Sequence, residues 1–199
     1  MIRSLEELRA LYPPTKPRAL QKQLSHLDQH CRRFIALSPF VVLASGDGAQ
    51  HDASPRGGSP GFVKVVDDTT LLIPDSPGNN RLDSLSNIIA SGRLGLLFLI
   101  PGIDESLRIN GAAEVSVDEA LLAQVKDERR TPRVVIRVTV EEAYLHCAKA
   151  LMRSRLWADD SRHERSVLPS MGKMIQDQAG GSGEPESQAA MLARYRDEL

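Results

Sequence analysis

Two stretches, residues 106–117 and 133–144, alternate apolar and polar side chains along nearly their whole length, and this period of two constrains the chain more than any other feature. In the first, Leu107, Ile109, Ala113, Val115 and Val117 share one face, while Arg108, Asn110, Glu114 and Ser116 share the other. In the second, Val134, Ile136, Val138 and Val140 fall on one side. Such segments are half-buried strands, so Arg108 and Asn110 point the same way.

Shorter strand signals precede them. Residues 40–44 are apolar, Gly46-Asp47-Gly48 is a hairpin turn, and residues 50–54 return beside the first run. Residues 62–66, a turn at Asp67-Asp68 and residues 70–73 make a second hairpin, and residues 94–100 form a continuous apolar strand before Pro101-Gly102. Six or more strands with short turns and few crossover helices predict a mainly β, α+β fold. The expected sheet is antiparallel and barrel-like, not a parallel doubly wound one. Residues 54–61 between the hairpins read as irregular, glycine-rich chain.

Helices flank this core. Ser4 with Glu7 three residues on is a capping box for a short helix over residues 4–11. After Pro17 a longer helix is expected, with Leu20, Leu24, Leu27, Cys31, Phe34 and Ile35 as one apolar stripe. Further helices are expected near residues 118–126, over 147–157 and, after the flexible Gly180-Gly181-Ser182-Gly183 break, over 186–195. The chain is thus one domain over residues 1–199: a helical flank at 1–38, a barrel core at 39–146 and a helical extension at 147–199.

The loop from Pro74 to Asp83 carries the first functional signal. Two prolines and a glycine forbid regular structure, and Asn79 or Asn80 is placed to cap a helix over residues 81–90. Arg81 would then stand in the first helical turn, against the positive end of the macrodipole. Two readings stand. Free helix N–H groups, two Asn amides and a guanidinium make a phosphate cradle, or Arg81 is a solvated cation with Asp83 or Asp75 nearby.

Several classes are excluded. With 25 Lys+Arg against 26 Asp+Glu there is no electrostatic pull toward nucleic acid or anionic membranes. Cys31 and Cys147 have no second Cys or His at metal-ligand spacing, and His26 and His30, four apart, read as a solvated helix face. Gly57-Gly58-Ser59-Pro60-Gly61 matches the G-x-S-x-G hydrolase pattern, but the residue after the serine is Pro60, which has no N–H for an oxyanion. Neither G-x-G-x-x-G nor G-x-x-x-x-G-K occurs. No apolar run is long enough for a membrane span and no export signal opens the chain, so a cytoplasmic protein with reduced thiols is expected.

What remains is three basic or amide-bearing clusters in order. The series Asp52-Ala53-Ser54-Pro55-Arg56-Gly57, then Pro74-Asp75 with Gly78-Asn79-Asn80-Arg81, then Leu107-Arg108-Ile109-Asn110-Gly111 resembles the flavin-binding split-barrel proteins related to pyridoxamine 5'-phosphate oxidase, over residues 35–145. The stretch His146-Cys147-x-Lys149-Ala150-x-x-Arg153-Ser154-x-Leu156-Trp157 is similar to one branch of that family.

The resemblance implies a six-stranded antiparallel split β-barrel with flanking helices, a homodimer, and FMN at the dimer interface. It implies that Arg81 with Asn79 and Asn80 holds the phosphate, and that Ser54, Pro55, Arg56 and Gly57 lie along the flavin ring or ribityl chain. Arg108, with Asn110 beside it, adds charge from a neighbouring strand, and Lys149, Arg153 and Trp157 reach the pocket of the other subunit. The competing readings are structural: cross-sheet ion pairs for Arg56 and Arg108, a ladder end for Asn110, an interface anchor for Trp157. Two departures are visible: the C-terminal Arg/His substrate signature of the vitamin-making oxidase is missing, and Gly58 stands where relatives carry an acidic residue. An FMN-dependent oxidoreductase acting on a small molecule is the first expectation. A binding module for flavin, deazaflavin or haem is the second, and a structural dimerisation barrel the third.

Overall fold

The computed structural model describes residues 1–75, 78–126 and 131–198, which fall into two compact units, Met1–Ser154 and Arg155–Leu199. In the first, β1 (Phe40–Gly46), β2 (His51–Gly57), β3 (Lys64–Val65), β4 (Thr70–Pro74), β5 (Arg93–Leu99), β6 (Ser106–Ser116) and β7 (Val135–His146) form one sheet in the order β2-β1-β5-β6-β7-β4-β3. All pairings are antiparallel. The antiparallel split β-barrel with flanking helices therefore stands, with seven strands where six are expected. The strand expected over 62–66 is present as β3, only two residues long.

Register fixes which side chains share a face, because directly opposed residues point the same way. Ser54, Leu43, Leu96, Ile109 and Ala143 form one cross-sheet row, and Arg56, Val41, Phe98, Leu107 and Leu145 form the next on the same face. Their apolar members are the core: Val41, Leu43, Phe98, Leu107 and Ile109 are wholly buried. Helices α3 (Gln29–Leu37) and α4 (Asp83–Ser91) cover this face with Cys31, Phe34 and Ile35 from one and Leu85 and Ile88 from the other. At β4 both faces are covered, since Leu72 packs behind the sheet with Val135 and with Val125 of α5 (Glu119–Val125).

The long alternation in residues 133–144 is interrupted. Asn110 pairs with Glu142 but Gly111 pairs with Val140, so Glu141 is an extra residue, and a β-bulge shifts the parity of β7. Ile136, Val138 and Val140 face the core before it, Ala143 and Leu145 after it. Gly111 is required there, because a Cβ would lie 2.1 Å from the Thr139 carbonyl oxygen.

Four sequence-based expectations need correction. The long N-terminal helix is two short ones, with α1 (Leu5–Ala10) capped by Ser4 as expected, then α2 (Pro17–Gln21), then α3. Between α2 and α3 the backbone joins the sheet: Leu24 exchanges hydrogen bonds of 3.0 and 2.7 Å with Ala143, and Leu27 N–H donates to Asp68 at 2.7 Å. Asp28 then caps a new helix by accepting from Cys31 N–H at 2.8 Å. Most of the stripe still buries, with Leu27, Cys31, Phe34 and Ile35 in the core and Leu24 packed against it, but Leu20 is exposed.

Residues 54–57 are not irregular but belong to β2. They form an edge strand, the position where Pro55 costs no ladder bond. The helix expected over 147–157 is only α6 (Lys149–Ser154), followed by Arg155 at a φ of 52°, and it excludes Trp157. In the second unit, α7 (Met171–Ala179) is a helix the Gly/Ser/Gln-rich composition hid. Ser170 caps it, and Gly180 in the left-handed region ends it before α8 (Gln188–Glu198).

Candidate cofactor site

The edge strand β2 carries the core face of the sheet beyond its apolar part. Asp52, Ser54 and Arg56, two residues apart, are half-buried on the side shared with Ser45, Leu43 and Val41, so the core face turns polar at its rim. The Asp52 carboxylate accepts from Ser54 Oγ and from Ser84 Oγ, both at 2.8 Å, and Asn87 donates to Ser45 Oγ at 3.2 Å. These bonds fasten α4 to β1 and β2. Arg56 donates to the Pro55 carbonyl at 2.9 Å. Its charge reaches Asp75, where burial pushes the carboxyl up against the opposing pull of Arg56 and Arg133.

The loop ahead of α4 differs from the sequence expectation in a way that bears on anion binding. The helix starts at Asp83, so Arg81 precedes it instead of standing in its first turn. Neither Asn79 nor Asn80 caps it: Asn79 Oδ1 accepts from Arg81 N–H at 3.1 Å, and the N-cap is Leu82, in the left-handed region with no side-chain bond to the helix. Asn80 and Leu82, at φ 58° and 61°, flank Arg81; the left-handed region comes readily to Asn but is costly for Leu82. α1, α3, α5 and α7 are capped by Ser4, Asp28, Asp118 and Ser170, whereas α2, which opens on Pro17, has no side-chain cap either. The first turn of α4 thus has no side-chain cap, with Asp83 at its exposed end and Ser84 and Leu85 buried. Arg81 itself is 72% exposed and gives Nε to Asp83 at 2.8 Å, a bond that raises its pKa further. Ser76 and Pro77 of this loop lie outside the described residues.

Arg108 and Asn110 lie on the opposite face. Pro55, Val42, Leu97, Arg108 and Tyr144 form one row there, and Ala53, Ala44, Gly95, Asn110 and Glu142 the next. Arg108 pairs with Glu142, whose other oxygen accepts from Gln23 at 3.2 Å, and Arg108 Nε is buried without a partner. The Tyr144 ring has Lys22 Nζ at 4.2 Å and the Arg108 guanidinium at 4.9 Å from its centroid. His146, 4.9 Å away on the same face, is held below the usual imidazole range by burial and then by Arg108 and Lys22.

The structure therefore ties Ser54 to the start of α4 through Asp52, whose charge also acts on Arg81, leaves Arg56 two residues beyond Ser54 on the same face, and puts Arg108 with Asn110 on the other side of the sheet. Lys149 and Arg153 are exposed on α6, directly after β7, and Trp157 is half-buried in the second unit. Asp52, Ser84, Glu142, Tyr144 and Lys22 were missed as polar partners. A signal existed for the first, since an acidic residue alternating with Ser54 and Arg56 stands where a core-facing apolar one would be expected. Among the described residues no cluster of His, Cys, Asp and Glu could hold a metal, and His26 and His30 are exposed.

With this geometry in place, the family model for pyridoxamine 5'-phosphate oxidase matches residues 27–147, more than half of the chain, and the chain belongs to that family. HupZ of Group A Streptococcus, in a form with one histidine replaced by alanine, aligns at a TM-score of 0.51 and 18% identity, over 60% of this chain and 99% of its own. A Lactobacillus delbrueckii protein named for pyridoxamine 5'-phosphate oxidase aligns at 0.47 and 17%, over 62% and 98%. A FAD-binding protein of Mesorhizobium loti aligns at 0.41 and 16%, over 63% and 97%. At such identities the likeness is one of fold. No curated protein sequence matches the chain.

Proposed function

We propose that the protein is an FMN-binding oxidoreductase whose cofactor is held between two copies of the chain. The observation that carries the reading is the uncapped start of α4, reached through the left-handed residues Asn80 and Leu82 with Arg81 between them. An uncapped helix start beside a guanidinium with free terminal donors is what a phosphate needs.

The donor set fits the cofactor. Asn79, Asn80, Arg81 and the α4 amides would hold the phosphate, while Ser54 and Arg56, with the Pro55 and Gly57 backbone, would lie along the ring system. Arg108 and Asn110 face away from that cradle in the same chain, so a site that uses both faces needs a second copy. The half-buried apolar residues Val42 and Leu97 beside Arg108 suit such a contact. Lys149 and Arg153, just beyond β7, and Trp157 would add to the neighbouring copy's pocket.

When bound, FMN supplies hydride or electron transfer. The chain's part is to hold the phosphate, to bias the ring through the Arg56 guanidinium and to exclude water. The test is spectroscopic. The protein as purified should carry a flavin absorbance that bleaches on anaerobic addition of NADH or NADPH. A bound flavin that no reductant bleaches would leave a binding module, and a colourless protein that takes up no added FMN would end the proposal.

A further inference from the structure

Asp52 belongs to neither half of the cradle described above, yet it joins them. One oxygen, Oδ2, accepts from Ser54 Oγ on the edge strand and from Ser84 Oγ in the first turn of α4, each at 2.8 Å. Ser54 is two residues from Arg56 on the same face of β2, and Ser84 is three residues from Arg81 and 2% exposed. Ser45, directly opposite Asp52, accepts from Asn87, so a second tie from sheet to helix runs alongside.

From this geometry we infer that Asp52 is a positioning residue, which sets the spacing between the ring side of the cradle and its phosphate side. The inference rests on the flavoprotein reading. A carboxylate oxygen shared by two hydroxyls fixes both serine rotamers with charge-assisted bonds, and through them the placement of Ser54 and of the uncapped start of α4. A hydrophobic contact would hold helix to strand as firmly but without a set direction, and direction is what a ligand touching both elements requires. The same charge lies close enough to act on Arg81, behind the nearer Asp83.

A ligand that spans both sides must therefore depend on Asp52 more than one that touches only the ring side. Dissociation constants of FMN and riboflavin, measured by flavin fluorescence with the full chain, separate these cases, because the two ligands differ only in the phosphate. Wild type should favour FMN. Asp52→Ala should cut that preference about tenfold or more, Asp52→Asn, which keeps an acceptor oxygen, should hold it within about threefold, and Ser84→Ala should shift it as alanine at 52 does, less far.

An unchanged preference in Asp52→Ala overturns the inference, as does an equal loss in Asp52→Asn. If Asp52→Ala does not fold, Ser84→Ala decides, and an unchanged preference there overturns the inference too. A wild type that binds neither flavin overturns the flavoprotein reading and this inference together, an outcome distinct from binding with an unaltered ratio.

Discussion

Replacing Gly111 by alanine tests the account of the sheet at its tightest point. A Cβ there would stand 2.1 Å from the Thr139 oxygen, 3.0 Å from its carbonyl carbon and 3.3 Å from Val140 Cα, so the obstacle is the backbone of a central strand. No side-chain rotation relieves it. β7 would have to retreat by roughly 1 Å beside a bulge whose register is already fixed on both sides, which is overpacking. Overpacking costs about 1–3 kcal/mol, and one weakened ladder bond adds about 1 kcal/mol. For a unit of this size that lowers the midpoint of thermal unfolding by roughly 5–15 °C. Gly102→Ala is the control: its Cβ would meet nothing within 4 Å, and only its φ of 83° opposes the change, at a cost of about 1–2 kcal/mol. Thermal denaturation followed by circular dichroism reads both. A Gly111→Ala protein that melts at or above the temperature of Gly102→Ala would refute the assigned bulge.

Three further outcomes follow from the electrostatics. Burial works against the charged form of Asp28, but the hydrogen bonds from Cys31 and the charge of His30 outweigh it, and the carboxyl is held below its ordinary range. Its charge-dependent contribution is present above the unfolded value of 3.8 and lost as pH falls through the lower folded value; Asp28→Ala should cost about 1 kcal/mol at neutral pH by urea titration and less in acid, where the neutral carboxyl keeps only an acceptor oxygen for Cys31 N–H. Cys147, exposed and lowered mainly by the hydrogen bond from Lys149 N–H, should react with a thiol reagent in the native protein, whereas Cys31, buried and pushed up to about 12, should react only after unfolding. His146 should titrate below 6.5 by NMR, and Lys22→Gln should raise its midpoint by removing a nearby cation.

The strands and their faces were legible because periodicity survives folding. Leu107, Ile109, Ala113 and Val115 face inward as the alternation requires, and Arg108 and Asn110 do share the opposite face. The bulge was not read, although the adjacent Glu141 and Glu142 break the alternation of β7 at the place where its parity changes. Helix continuity was not legible for a related reason: the apolar stripe from Leu24 to Ile35 reports what is buried, not whether the backbone between bonds to itself or to Ala143.

The position of Arg81 was legible only in outline. Its conflict with the helix dipole is resolved by starting α4 two residues later, through left-handed Leu82, and no propensity argument predicts that conformation for leucine. Asp52 went unread as a tie because its partner Ser84 is 32 residues away in the chain.

The most direct test of a cofactor site shared between opposite sheet faces of two copies is complementation. Arg81→Ala and Arg108→Ala proteins, each flavin-free, are unfolded together, refolded as an equal mixture and titrated with FMN. If each site takes Arg81 from one copy and Arg108 from its partner, mixed dimers hold one intact site of two, and the mixture should regain about a quarter of the wild-type flavin. Dimers that form normally but regain none would contradict the account.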